Sequence, residues 1–370
     1  MSISRITVSI FKSLAKDLVK SLSNVGVQHL TELSGRSPVI QEAKGFVALL
    51  SGASGLADDP SELISFTIPS EAEDDMISFI IEKGQLNLPG RGSVYAEKVD
   101  VTKGHDLCQV NQPINLDGPK HPTLREATGI CCIVQRGQGN KVAQIILESG
   151  AGVPTITFGT GLGVRDKMGL LRITIPADKE LVWVATSNFD ADVVMNAMIE
   201  VAQLDQPGKG FIYTFPLSQA HLNMQVTRET GRSAASMEQV IAAIDEMKGG
   251  IEWRRRATAV DDSKRNYLKG LVDFTLICDE GGGDDLVAAA MAAGAAGASI
   301  SKMKQMAPDA GSSSAVISRS RESCYMIIGE SAQEGILKAL DEAGAFGDKY
   351  HGIAVSHPTH KAFTYLPPQK

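Results

Sequence analysis

The 370-residue chain has no run of about 18 uncharged apolar residues, which excludes a membrane-spanning helix of the ordinary kind. Its most apolar stretch, Leu286 to Ile300, is mostly Ala and Gly and has charged neighbours. Aromatic residues are scarce at 5%, so packing must rest on aliphatic side chains. The five cysteines are odd in number and two, Cys131 and Cys132, are adjacent, which argues against a disulfide framework. The start, Met1-Ser2-Ile3-Ser4-Arg5, lacks the basic, apolar and small-residue zones of a signal peptide, so a cytoplasmic location is expected. Positive charge is also short. The net charge is −7 with a pI of about 5.6, so nucleic acid is not the expected partner. The one dense basic run, Arg254 to Arg256, is soon followed by Asp261 and Asp262 and reads as solvated surface.

What the chain has in abundance is glycine, 36 residues of it, and a recurring grammar. An apolar strand-like run is followed by a helix-period segment, a glycine and a second strand. A loop, a third strand, a second helix, a glycine turn and a closing strand complete the unit. In the first unit Leu14, Leu18, Leu22 and Val25 mark the first helix, which Gly26 closes. Glu62 to Pro69 is the third strand, and Pro89-Gly90-Arg91-Gly92 the turn. In the second unit Glu180 to Ser187 and Pro207-Gly208-Lys209-Gly210 repeat these, each 118 residues further on. In the third, Glu322 to Gly329 is the strand and Gly347-Asp348-Lys349 the turn. Between the second and third units, Met237, Val240, Ile241, Ile244 and Met247 predict an inserted amphipathic helix.

The strand and helix order predicts an α+β fold of three ferredoxin-like βαββαβ units. Their sheets, with adjacent apolar pairs such as Leu63-Ile64 and Leu181-Val182, would pack together as an intramolecular pseudo-trimer. The divisions are residues 1–110, 129–230 and 267–370, with 231–266 as a helical linker. Three units in one chain predict a monomer. This layout resembles the PII nitrogen-signal family, whose members are trimers of single units. The second unit carries the resemblance in Gly152-Val153-Pro154-Thr155-Ile156-Thr157, in Gly161-Leu162-Gly163 and in Leu204-Asp205-Gln206-Pro207-Gly208-Lys209-Gly210.

A glycine-rich turn lets backbone N–H groups approach an anion, and a Lys or Arg adds charge. The resemblance implies nucleotide binding at such turns and at the base of the long loop after the second strand. The residues so marked are Thr155, Thr157, Gly161, Gly163, Arg165, Gly208, Lys209 and Gly210 in the second unit. Gly35, Arg36, Gly90, Arg91 and Gly92 are their counterparts in the first, and Gly347 and Lys349 in the third. The implied function is a signal-transducing regulator that binds a small anionic effector, ATP or ADP first, and acts on a target protein through its loops. The alternative is a CutA-like metal-binding protein or a ligand-free scaffold. His105-x-x-Cys108 and His357-x-x-His360 lack a second matching pair, so no metal site is assigned. No nucleophile motif is present and no catalytic residue is assigned. The loop at Gln41 to Pro60 is expected to be the most mobile internal segment and to contact a partner, and the shorter loop of the second unit, with its apolar run Gly169 to Ile175, to be better ordered.

Overall fold

The first strand alternates. Ile6, Val8 and Ile10 are fully buried on one side, while Arg5, Thr7 and Ser9 share the other. The computed structural model describes residues 2–27, 29–41, 55–88, 90–104, 116, 118–125, 127–163, 177–222, 265–308 and 316–366. The inserted amphipathic helix expected over Met237 to Met247 lies outside these, as does most of both long loops.

The elements in chain order are β1 (Ile3–Phe11), α1 (Lys12–Asn24), β2 (Leu30–Gln41), β3 (Gly55–Pro69), α2 (Glu73–Lys83) and β4 (Gly92–Gly104). Next come β5 (Ala127–Gln135), α3 (Gly139–Ser149), β6 (Thr155–Gly163), β7 (Asp178–Ser187), α4 (Ala191–Ala202), β8 (Gly210–Leu217) and β9 (Gln219–His221). The last group is β10 (Leu271–Asp279), α5 (Gly283–Ala292), β11 (Gly297–Pro308), β12 (Val316–Gly329), α6 (Gln333–Glu342), β13 (Ile353–Pro358) and β14 (Lys361–Phe363). Gly26 (φ 96°), expected to end a helix, follows α1, and Gly150 (φ 72°) follows α3 in the same way, both in the left-handed region.

The strands form one sheet of 14, in the order β11-β12-β10-β13-β4-β1-β3-β2-β6-β7-β5-β8-β14, with β9 on β4. Every pairing is antiparallel. This overturns the expectation of three separate ferredoxin-like units arranged as a pseudo-trimer, and the tandem-repeat description goes with it. The chain is a single large antiparallel sheet with six α-helices dispersed along it among the described residues. The reason lies in the edges. A strand edge left unpaired exposes a row of N–H and C=O groups. Here the edges expected to end each unit pair onward instead. Gly35 and Arg36 of β2 face Thr157 and Ile156 of β6, and Thr160 to Gly163 of β6 face Ile300 to Gly297 of β11. Lys304 to Met306 of β11 return to Glu32 to Leu30 of β2, so the sheet closes on itself there. The far ends join too: β4 pairs with β13, β9 with β4, and β14 with β8.

Helices cover the outer face of this sheet. Leu18 and Leu22 of α1 and Met76, Ile77 and Ile80 of α2 pack on Ile6, Val8 and Ile64. Val142, Ile146, Met195 and Met198 form a second such core, and Leu286, Val287, Ile336 and Leu340 cover Phe274 and Met326 in a third. A fourth cluster, with Leu63, Leu181, Trp183, Tyr213 and Phe215, lies on the inner side where distant strands meet.

Candidate functional site

One rung of the sheet carries the candidate site. Phe158 of β6 faces Glu180 of β7, which faces Val134 of β5, which faces Gly210 of β8. At this end of the sheet β5 leads through Gly137 into α3. The Glu180 carboxylate, 3% exposed, accepts from the backbone N–H of Gly137 at 2.9 Å and of Gly139 at 2.7 Å. Arg36 reaches across from β2 and donates to Glu180 at 3.1 Å and to Asp58 at 2.6 Å. It also donates to the Asn140 side chain on the first turn of α3, and it stands 6.0 Å from the centre of the Phe158 ring. Free N–H groups at a helix start and a guanidinium are the components of an anion site. An internal carboxylate already sits among them.

The same carboxylate position recurs. Glu322 accepts from the Gly283 N–H at the start of α5 at 2.8 Å, and a Cβ on Gly283 would lie 2.7 Å from its Oε2. Glu62 takes the Ser34 hydroxyl at 3.2 Å and lies 3.5 Å from Lys12 at the start of α1. The sequence reading used these three glutamates to align strands but gave them no role. Their recurrence at one strand position was the available signal.

The marked residues divide. The Thr155 hydroxyl is buried against those of Ser9 and Ser37, and the Thr157 hydroxyl accepts from Trp183 Nε1 at 2.9 Å. Both are engaged inside the protein. Gly35, Gly161 and Gly163 lie where β6 hands over to β2 and β11. A Cβ at Gly35 would stand 2.6 Å from the Ile156 carbonyl oxygen, and the Gly161 N–H donates to Ala177 at 2.7 Å. Arg165 lies outside the described residues.

At the turn into β8, Gly208 (φ 74°) adopts a left-handed conformation, and its carbonyl accepts from the Gln135 side chain at 3.0 Å. A Cβ on Gly210 would meet the Ile133 oxygen at 2.2 Å, and one on Gly92 would meet the Ser9 oxygen at 2.1 Å. Both glycines are therefore needed for close strand approach, whatever binds nearby. Gly90 (φ 79°) makes the same turn as Gly208, with Arg91 beside it. The third turn differs. Gly347 and Lys349 are exposed, with the Lys349 amine 4.4 Å over the Tyr350 ring. The close-approach position there belongs to Gly352, whose Cβ would lie 2.3 Å from the Ala345 oxygen. The structure thus places Arg36, the α3 start and the Gly208–Gly210 turn at one end of the sheet, and the other turns elsewhere.

A second cluster gathers residues of which the sequence singles out only His357, and that as a metal ligand. Arg5 Nε donates to Glu97 Oε1 at 2.6 Å, and Arg5 Nη2 lies 3.1 Å from His357 Nε2. That nitrogen is also 3.2 Å from Glu97 Oε2 and 3.4 Å from Asp273 Oδ2. The Tyr213 hydroxyl donates to Asp273 Oδ2 at 2.8 Å, and the Thr275 hydroxyl donates to Asp273 Oδ1 at 3.0 Å. Burial pushes the His357 pKa down, but Glu97 and Asp273 outweigh it and hold the ring above its ordinary value. Burial pushes Asp273 up, and His357, Arg5 and Tyr213 bring it below its ordinary value. The signal was the polar alternation Arg5, Thr7, Ser9 within a buried strand. Of the histidines and cysteine weighed as metal ligands, His105 and Cys108 lie outside the described residues and His357 belongs to this cluster. Among the described residues no group of three or more His, Cys, Asp or Glu is placed to hold a metal ion. None of the described helices is long and apolar enough to cross a membrane.

No family model matches the chain, and no curated protein does. Among solved structures it is similar at 11% identity to a complex of pregilvocarcin with GilR, an oxidoreductase that catalyses the terminal step of gilvocarcin biosynthesis. That alignment covers 85% of this chain and 56% of the other, with a TM-score of 0.17. A likeness of that degree carries no argument about fold or function.

Proposed function

We propose that the chain is a ligand-sensing regulator, similar to PII signal proteins in the parts of its site, and that it binds a small anionic effector. Adenine nucleotide is the first candidate, and a target protein would be regulated through the loops. The observation that carries this reading is the Gly208–Lys209–Gly210 turn, where a left-handed Gly208 (φ 74°) stands beside a lysine. The Arg36–Glu180 pair at the start of α3, whose N–H groups that carboxylate already takes, stands beside it. The Gly208–Lys209–Gly210 turn lies two strands from Glu180 on the same rung. Two strand spacings are roughly 10 Å, a span that one nucleotide can bridge. Thr364 of the C-terminal segment donates to the Gly210 carbonyl at 2.9 Å, so a chain-distant segment also borders the turn. The protein acts as a monomer.

Calorimetric titration with ATP and with ADP tests the reading. The parent protein takes up nucleotide saturably, and Gly208→Asp, which adds a negative charge at the turn, removes that binding. Absence of heat with both nucleotides, or unchanged binding in the variant, refutes it. Light scattering should give a mass of about 39 kDa.

A further inference from the structure

The inner side of the sheet carries a half-open pocket of about 80 Å³, walled by strands from the beginning, middle and end of the chain. At roughly 10–15 Å³ for each water, that is room for about five to eight small heavy atoms. Leu63, Trp183 and Met303 of the inner core give the wall much of its apolar surface. Two groups in the same wall have donor hydrogens to spare. Arg5 is the first. Its Nε is spent on Glu97 at 2.6 Å and its Nη2 lies 3.1 Å from His357, but Nη1 makes no hydrogen bond among the described residues. Nη1 is not closed off from solvent either, and the side chain keeps 18% of its surface. Arg5 points inward from β1, which β3 and β4 flank on its two edges, so that surface opens into the pocket it lines.

Tyr95 is the second. It stands on β4 opposite Thr7, two residues from Glu97 and on the same face as Arg5. Its hydroxyl has no hydrogen-bond partner among the described residues and is likewise open. Other hydroxyls in the wall are engaged: Thr31 donates to the Ser65 carbonyl at 3.0 Å, and those of Thr7 and Ser65 are 3.1 Å apart. Glu97, the one carboxylate of the wall among the described residues, is 2% exposed and turned to Arg5 and His357. The pocket therefore presents donors, and a ligand must bring the acceptor. Charge behind the wall is already balanced, with Arg5 and His357 against Glu97 and Asp273. An anion would add a charge that nothing there compensates.

We propose that this pocket binds a small uncharged ketone, its carbonyl oxygen accepting from Arg5 Nη1 and the Tyr95 hydroxyl and its hydrocarbon part lying on Leu63, Trp183 and Met303. The site is distinct from the anion site and does not depend on it. A ketone has an acceptor and no donor of its own, which matches the hydrogens left open in the wall. Its carbons also remove apolar wall from water, which a water in the same place does not. Cyclopentanone, a ketone of that size, is the probe, read by saturation-transfer NMR and by the structure of a soaked crystal of the full chain, with acetate run beside it. The parent should show saturable transfer from cyclopentanone and none from acetate, with the ketone oxygen in hydrogen-bond reach of Nη1. Tyr95→Phe removes one donor and keeps the ring, and should weaken binding about threefold to tenfold. Ser65→Leu, which fills the pocket and leaves all four charges in place, should abolish the signal. If Ser65→Leu does not fold, Tyr95→Phe and the soaked parent decide alone. Water alone in the pocket after soaking, transfer from acetate in place of cyclopentanone, or undiminished binding in either variant overturns the proposal.

Discussion

Asp273 and Phe274 are neighbours on β10 and face opposite worlds. Phe274 points outward into a core of aliphatics and methionine beneath α5 and α6. Asp273 points inward to His357, Tyr213 and Thr275. Both are almost completely buried, at 2% and 0%. The outer cores are held by apolar area, which tolerates volume-conserving change. The inner one is held by mutual satisfaction of charges, which fails when one member is removed but not when all are replaced.

The largest effect should come from removing one member. Asp273→Ala leaves His357 without one of its two carboxylates and should cost about 3–5 kcal/mol in urea denaturation. Phe274→Ala should cost a similar 3–5 kcal/mol, through a cavity. The two part company on rescue. Replacing Arg5, Glu97, Asp273 and His357 together by apolar residues of similar volume should recover most of the loss, whereas no inner change recovers Phe274→Ala. If the combined variant is as unstable as the sum of single ones, the inner cluster is not the self-compensating unit described.

pH separates the two cores next. The folded His357 pKa is raised, so its contribution is fully present below its unfolded value near ~6.5. It is lost as pH rises through the higher folded value. The folded Asp273 pKa is lowered, so its contribution is present above about 3.9 and lost as pH falls through the lower folded value. His357→Asn should flatten the alkaline side of a stability–pH curve. Phe274→Ala should shift the whole curve without changing its shape. An unchanged alkaline slope in His357→Asn would contradict the assignment.

Smaller effects separate the two kinds of glycine. Gly210→Ala sets a Cβ against the Ile133 carbonyl oxygen at a positive φ and should cost about 1–3 kcal/mol. Gly137→Ala, at φ 87° but with nothing within 4 Å of the added Cβ, should cost only about 1 kcal/mol. Thermal melts of the pair check this. Comparable in size is Arg36→Ala, at the proposed anion site. With 16% of its side chain exposed and Asp58 at 42%, its loss should reduce stability by about 1–2 kcal/mol. It should weaken ATP binding at least tenfold. Full nucleotide affinity in Arg36→Ala would remove it from the site.

Much of the local structure was legible because it depends on neighbours in sequence. Leu18 and Leu22 four apart specify one helix face, Gly26 and Gly150 close helices, and Ile6, Val8 and Ile10 alternate as a buried strand must. The turn glycines were located correctly at Gly90–Gly92 and Gly208–Gly210. Their burden of close strand approach was not legible, because it is set by the carbonyls of Ser9 and Ile133, far away in sequence. The third turn was assigned to Gly347, and the close approach falls at Gly352, against the Ala345 carbonyl of the same turn region, since spacing alone does not say how a turn folds back on itself.

The amino-acid sequence by itself determined the order of strands and helices, the apolar face of each helix and the recurrence of Glu62, Glu180 and Glu322 at one strand position. Propensity and periodicity act over a few residues and need no partner. Only the tertiary structure decided that the strands join one sheet, because hydrogen bonding at an edge depends on which distant edge comes within reach. It alone brought Arg36 to Glu180, and Arg5 with Glu97 to Asp273 and His357. A buried charge is tolerable only beside its counter-charges, and those meet only once the whole sheet has closed.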